Sequence, residues 1–130
     1  MEARILIVDD HEIVRDGIRT LIARSRPDWR ICGEASNAAE ALRAVQKLDP
    51  DVVILDVTMP GSSGLDVSLR IKNLGLRSRI LIFTMHDTGH LVSEARAAGA
   101  QGYVLKSQAS RDLVTAVERL LDNRTFFGPF

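Results

Sequence analysis

The sequence predicts an α/β domain in which five strand-then-helix units build one doubly wound, five-stranded parallel sheet with helices on both faces. Three observations carry this. Short apolar segments alternate five times with stretches whose apolar residues recur every three or four positions. Most of those segments are continuous apolar runs, which is how a strand covered on both faces reads. The runs also end on chemically capable side chains, Asp9, Asp56, Thr84 and Lys106. For such a sheet the expected strand order is 2-1-3-4-5, with ligand chemistry at the carboxyl ends near the switch point between the first and third strands.

The first strand, Arg4 to Val8 (RILIV), ends on Asp9-Asp10, after which Ile13, Val14, Gly17, Ile18, Leu21 and Ile22 recur at helical spacing. Past Arg26-Pro27-Asp28, the segment Trp29 to Ala35 (WRICGEA) alternates more loosely, as suits a strand nearer the sheet edge. Asn37 and Glu40 stand at capping-box spacing before a helix with Ala41, Leu42, Val45 and Leu48 on its apolar face, ended by Asp49-Pro50. Val52 to Leu55 then delivers Asp56 to a rim, because Met59-Pro60-Gly61 cannot prolong a strand. A lone Asp in that position could equally cap a turn. A third helix runs from about Gly64 to Asn73 with Leu65 and Leu69 as a thin apolar stripe. Arg79 to Thr84 (RILIFT) is the fourth strand, and Met85 to Thr88 lead into a helix with Leu91, Val92, Ala95 and Ala98 inward. That face is mostly small residues, so at roughly 25 cal/mol per Å² of apolar burial this helix should be the least firmly held. Gly102 to Leu105 (GYVL) delivers Lys106, and Ser110 is placed to cap a helix lined by Leu113, Val114, Val117, Leu120 and Leu121. Residues 1–123 thus form one domain, and 124–130 form a tail without helical pattern or the start of a linker.

The composition narrows the function classes. At 130 residues, 45% hydrophobic and 26% charged, the chain suits one domain with a sizeable core. Seventeen basic and seventeen acidic residues cancel, leaving no basic excess for a nucleic-acid backbone. The single cysteine, Cys32, cannot form an internal disulfide and reads as a small packed hydrophobe, in keeping with a reducing cytoplasm. No stretch reaches membrane-span length, and the start from Met1 runs into a strand with no signal-peptide pattern, so the expectation is a cytoplasmic protein without membrane attachment.

The strand ends specify chemistry. Asp9-Asp10 occupy a strand-to-helix junction where a nucleotide fold would place glycines to cradle phosphate, so the carboxylates point to a cation instead. With Asp56 across the switch point, each close pair repels by about 4 kcal/mol at 4 Å and an effective dielectric near 20, which a bound cation relieves. Magnesium suits an all-oxygen site that leaves room for water and phosphate oxygens. The three histidines are scattered and read as surface or loop residues rather than ligands. A metal beside a carboxylate, a lysine and a hydroxyl is equipment for phosphoryl transfer, with Asp56 as nucleophile and Lys106 neutralising oxygens.

ILIVDDHE, VILDVTMPGSSG, ILIFT and GYVLK, in this order on these strand ends, resemble the receiver domain of bacterial two-component response regulators over residues 4 to about 122. DDHEIVRDGIRTLI and GYVLKS are most similar to the NarL/FixJ (LuxR-type) transcription regulators. The resemblance implies a flavodoxin-like, CheY-like fold and a phosphoacceptor at Asp56 that takes a phosphoryl group from a phosphohistidine on a sensor histidine kinase. It further implies Mg2+ (or Mn2+) held by Asp10, Asp56 and the backbone carbonyl of Thr58, with Asp9 acting through water. Lys106 would pair with the phosphoryl group, Thr84 would swing to it with Tyr103 turning inward, and Thr58 and His86 would flank the path of hydrolytic water. The implied protein is a signalling switch and not a turnover enzyme, acting through a phosphorylation-dependent homodimer. It would reach DNA only through a C-terminal helix-turn-helix domain that this chain does not contain.

Two departures from the family pattern stand out. Lys106 precedes Ser107 where a cis proline is frequent, and a non-proline cis bond costs roughly 2.5 to 4 kcal/mol. The chain ends at Phe130, as an excised or a free-standing receiver would. A Mg2+-dependent phosphohydrolase with Asp56 as nucleophile is the rival class, although Thr58 stands where such an enzyme needs its second Asp. A phosphorylation-independent interaction module is a third. Throwing a switch from 1:99 to 99:1 takes about 5.5 kcal/mol. One charged hydrogen bond from Thr84 supplies about 1.5 to 3, so several contacts must act together.

Overall fold

The structure, a computed structural model, describes residues 2–86 and 88–128; Asp87, in the expected lead-in to the fourth helix, and Pro129 and Phe130, in the tail, lie outside the described residues, as does Met1. Along the chain come β1 (Arg4–Val8), α1 (Glu12–Ser25), β2 (Arg30–Ala35), α2 (Ala38–Leu48), β3 (Val52–Leu55) and α3 (Gly64–Asn73). They are followed by β4 (Arg79–Thr84), α4 (Gly89–Ala97), β5 (Gly102–Leu105), a 3-10 turn at Lys106–Gln108 and α5 (Ala109–Leu121). All four strand pairings are parallel and the order is 2-1-3-4-5, as the alternation of strands and helices implies.

Continuous apolar strands are explained by two cores. Ile5, Ile7, Val52, Ile54, Leu81 and Phe83 face α1 and α5, whereas Leu6, Val8, Val53, Leu55, Ile80 and Ile82 face α2, α3 and α4. Successive strand side chains point to opposite faces, so a strand with helices on both sides has no polar position to spare. Edge strand β2 is the looser one expected, and its pairing with β1 slips at Cys32, where Ile5 meets Ile31 but Leu6 meets Gly33. Cys32 packs half-buried against the second core.

Two helix faces and one helix start differ from expectation. In α1, Ile13 is 81% exposed and Ile18 and Ile22 are the buried residues. In α3 the buried face is Gly64, Val67, Ser68 and Ile71, and Leu69 turns outward. Gly64 sets that rotation: its N–H donates to Val57 O at 2.8 Å, and an added Cβ would collide with the Asp56 carbonyl oxygen. Ser68 is brought inward as a consequence and is satisfied by donating to Ala98 O at 2.8 Å. In α5 the helix begins at Ala109 and Ser110 does not cap it, because the Lys106–Gln108 turn feeds straight into it without an extended N-cap residue. The α4 expectation fits: Ala95 is the buried residue of that helix, with Leu91 and Val92 partly covered.

The segment after α5 turns back onto the sheet. Phe126 bridges Gly102 in parallel, with Phe126 N–H donating to Gln101 O at 3.0 Å and Tyr103 N–H donating to Phe126 O at 2.7 Å. Its ring is buried in the first core, and Arg96 lies 4.0 Å over the Phe127 ring. Nothing in the tail's composition signals this, because a single bridge leaves no periodicity. Phe126→Ala is expected to cost about 3 kcal/mol, at the low end for a buried Phe since the strap can detach locally. A denaturant midpoint lowered with unchanged m-value checks it.

Candidate functional site

The four strand-end residues meet in one crevice. Asp9 is fixed by its N–H donating to Ala35 O at 3.0 Å, and Asp56 by its N–H donating to Val8 O at 2.9 Å, so backbone ladders on both sides of β1 aim the two carboxylates. Both residues are buried, at 1% and 4% exposure. Lys106, the residue after β5, brings Nζ to 2.8 Å from Asp9 Oδ2 and 3.5 Å from Asp56 Oδ2. The lysine therefore bridges two carboxylates and sits closer to Asp9.

Burial pushes the Asp56 carboxyl above the ordinary carboxylate range; Lys106 pulls it back down, and the negative charge of Asp9 adds to the rise. Among the described residues, the buried Asp9 Oδ2 has the Lys106 ammonium at 2.8 Å as its one donor, and the buried Asp10 Oδ1 has only the His11 ring at 3.1 Å. Oxygens left short of donors in a cluster of carboxylates are what an added cation would satisfy, so the donor set fits a hard divalent ion.

Across the mouth of the crevice, residues 84–86 are held at three points. Thr84 is fully buried, and its Oγ1 accepts the His86 N–H at 3.1 Å. Tyr103, also buried, donates its hydroxyl proton to His86 O. The His86 ring Nε2 lies 3.2 Å from Thr58 Oγ1, and Thr58 N–H reaches Asp56 Oδ1 at 3.4 Å. Thr84 and Tyr103, paired in the sequence reading, thus hold the same residue, His86, one through each side of its peptide.

Two neighbours escaped the sequence reading. His11 places Nδ1 3.2 Å from Asp9 Oδ1 and 3.1 Å from Asp10 Oδ1, so one of the histidines set aside as surface residues belongs to the acidic cluster. His90, by contrast, pairs with Glu94 on α4. Arg15 Nη1 donates to Asp9 O at 2.6 Å while its Nε pairs with Glu34 at 2.9 Å, tying α1 and β2 to the floor of the site. The spacing of His11 directly after two acids was the available signal for the first; nothing local marked the second.

Comparison with known proteins agrees with this geometry. The family model for response regulator receiver domains matches residues 5–118. The nitrate/nitrite response regulator NarL of Escherichia coli K12 is 37% identical over 117 residues, 90% of this chain and 54% of that protein. The chain spans a little over half the length of the curated relatives it matches. A LuxR-family two-component response regulator from Aurantimonas sp. SI85-9A1 superposes with a TM-score of 0.93 at 43% identity, covering 99% of this chain and 91% of that one. The isolated receiver domain of RcsB from Salmonella enterica serovar Typhimurium, solved in the presence of the phosphomimetic BeF3−, gives 0.89 at 28% identity, covering 98% and 94%. With a family match over most of its length, the sheet order 2-1-3-4-5 and the acidic crevice at the strand ends, the chain belongs to the response regulator receiver domain family, with NarL- and LuxR-type regulators as its relatives.

Proposed function

We propose that Asp56 is the phosphoacceptor of a two-component switch, receiving a phosphoryl group from a phosphohistidine on a sensor histidine kinase. The observation that carries this is the Lys106 ammonium shared between buried Asp9 and Asp56, which leaves a cation poised beside the carboxylate of β3, the strand between β1 and β4. An Asp56 oxygen attacks phosphorus, the phosphorus–nitrogen bond breaks, and the freed imidazole takes up a proton. Lys106 turns toward the new phosphoryl oxygens, and Thr84 leaves the His86 N–H to donate to them, with Tyr103 following. Asp10, Asp56 and the Thr58 carbonyl would hold Mg2+ or Mn2+, with Asp9 through water; such an ion supplies charge neutralisation at the transferring group. The isolated receiver of RcsB with its phosphomimetic supports the same reading for a relative.

Residues 1–123 form the receiver, and 124–130 are a tail whose first part is strapped to β5 before any linker. The output is a change in self-association into a homodimer, with DNA contacted through a separate C-terminal domain, in the cytoplasm. Among the described residues no helix is long and apolar enough to cross a membrane. The domain turns over no external substrate; it catalyses its own phosphorylation and dephosphorylation.

Metal titration followed by NMR or fluorescence tests the ligand assignment. Asp10→Asn is expected to weaken Mg2+ binding more than Asp9→Asn, since Asp9 already has one oxygen on Lys106. Equal affinity in the wild type and Asp10→Asn contradicts it. Thr58 and His86, in contact at 3.2 Å, are the residues we assign to flank the path of water to Asp56, so replacing both with Ala is expected to change the dephosphorylation rate several-fold. An unchanged rate from pH 6 to 8 removes them from that role.

A further inference from the structure

The acidic crevice contains a nitrogen. Two ligands about 2.1 Å from one ion sit about 3.0 Å apart when they subtend a right angle and about 4.2 Å apart when opposite. His11 Nδ1 lies 3.1 Å from Asp10 Oδ1 and 3.2 Å from Asp9 Oδ1, and one ligand atom from each of Asp9, Asp10, His11 and Asp56 falls within 4.8 Å of the others. Packing does not force the ring there, because the side chain is 60% exposed. Its backbone N–H, donating to Asp9 Oδ1 at 2.9 Å, holds the residue in a turn that aims the ring back over the carboxylates. A second observation points the same way: Asp9 Oδ2 is taken by the Lys106 ammonium at 2.8 Å, whereas the buried Asp10 Oδ1, aimed into the crevice, has no neighbour among the described residues to satisfy it besides the His11 ring at 3.1 Å.

Resting on the reading of this crevice as a cation site, we propose that His11 Nδ1 is an inner ligand for a divalent transition ion, so that the site takes Zn2+ or Mn2+ in preference to Mg2+ through this residue. Magnesium favours oxygen and retains water, whereas a neutral imidazole suits the borderline ions. Carboxylates alone also favour Zn2+ over Mg2+, so the specific content is a double difference: removing the ring must cost Zn2+ affinity while sparing Mg2+. A Zn2+ held in this way occupies the crevice that Mg2+ needs and competes with it.

The test is calorimetric titration of the 130-residue chain with Zn2+ and, separately, Mg2+, in the wild type, His11→Ala and His11→Gln. Both substitutions are expected to weaken Zn2+ by at least about tenfold and Mg2+ by less than about twofold. The His11 Nδ1 resonance of the wild type should move on Zn2+ saturation. Parallel loss of both ions, or unchanged Zn2+ affinity with unmoved His11 resonances, overturns the proposal and leaves the Mg2+ reading standing. A wild type that binds neither ion at an Asp10-dependent site overturns both. His11→Gln serves where His11→Ala fails to fold, since it keeps a polar side chain at an exposed position.

Discussion

Asp56→Asn is expected to abolish the phosphoryl adduct and, at the same time, to make the fold more stable at neutral pH. The first half follows from chemistry: the amide keeps the size of the side chain and loses the nucleophile, so a mass gain of roughly 80 Da should vanish. Asp9 cannot substitute, because its Oδ1 faces His11 and its Oδ2 is paired with Lys106 at 2.8 Å. The second half follows from linkage. The Asp56 carboxyl is raised in the folded protein by burial, against the pull of Lys106 and with the charge of Asp9 adding to the rise, so between the unfolded and folded values the native state binds more protons than the unfolded chain. Stability therefore falls as pH climbs from the unfolded value through the folded one, and the deficit persists at pH 7. The variant should gain in urea midpoint at pH 7 and lose that advantage below the ordinary carboxylate range. A variant no more stable than the wild type at pH 7 would show that Lys106 fully offsets the burial of the charge.

Gly64→Ala is expected to be the most damaging single methyl in the molecule. Its Cβ would collide with the Asp56 carbonyl oxygen, stand 2.9 Å from the carbonyl carbon and 3.0 Å from Val57 Cα, all backbone atoms that no rotamer change can move. Relief requires either the start of α3 or the Asp56 peptide to shift, and overpacking of this kind costs about 1 to 3 kcal/mol or more. Because one of the two parts is the phosphoacceptor's own peptide, the phosphorylation rate should fall along with stability. Gly17→Ala is the control, since an added Cβ there meets nothing within 4 Å. If both variants have the same denaturation midpoint, the close approach at Gly64 carries no energetic weight.

The strands and their order were legible because each strand is sandwiched between helices, which forces an unbroken apolar run, and because such a run must stop where the chain meets water at the site. That is why Asp9, Asp56, Thr84 and Lys106 could be read off as one rim. Helix faces were less legible wherever a backbone contact outweighed side-chain hydrophobicity. In α3 the approach of Gly64 to Asp56 turns Ser68 inward and Leu69 outward, against their polarity. The Lys106–Asp9 contact was hidden for a different reason: strand ends give positions along the rim, while the reach of a lysine across two strands depends on its rotamer. His11 reads as a surface residue when the three scattered histidines are taken together, whereas its neighbours Asp9 and Asp10 are the informative context. The Phe126 strap makes two backbone hydrogen bonds beside β5 and lacks the repeat that would announce a strand.

This crevice should phosphorylate itself at Asp56 with the help of a divalent ion. Intact mass spectrometry after incubation with acetyl phosphate, in Mg2+ and in EDTA, tests it most directly, with peptide mapping to place the adduct. The expected result is one added phosphoryl group of roughly 80 Da, on the peptide containing Asp56, in Mg2+ alone. Equal labelling in EDTA, or a stoichiometric adduct on another residue, would contradict it.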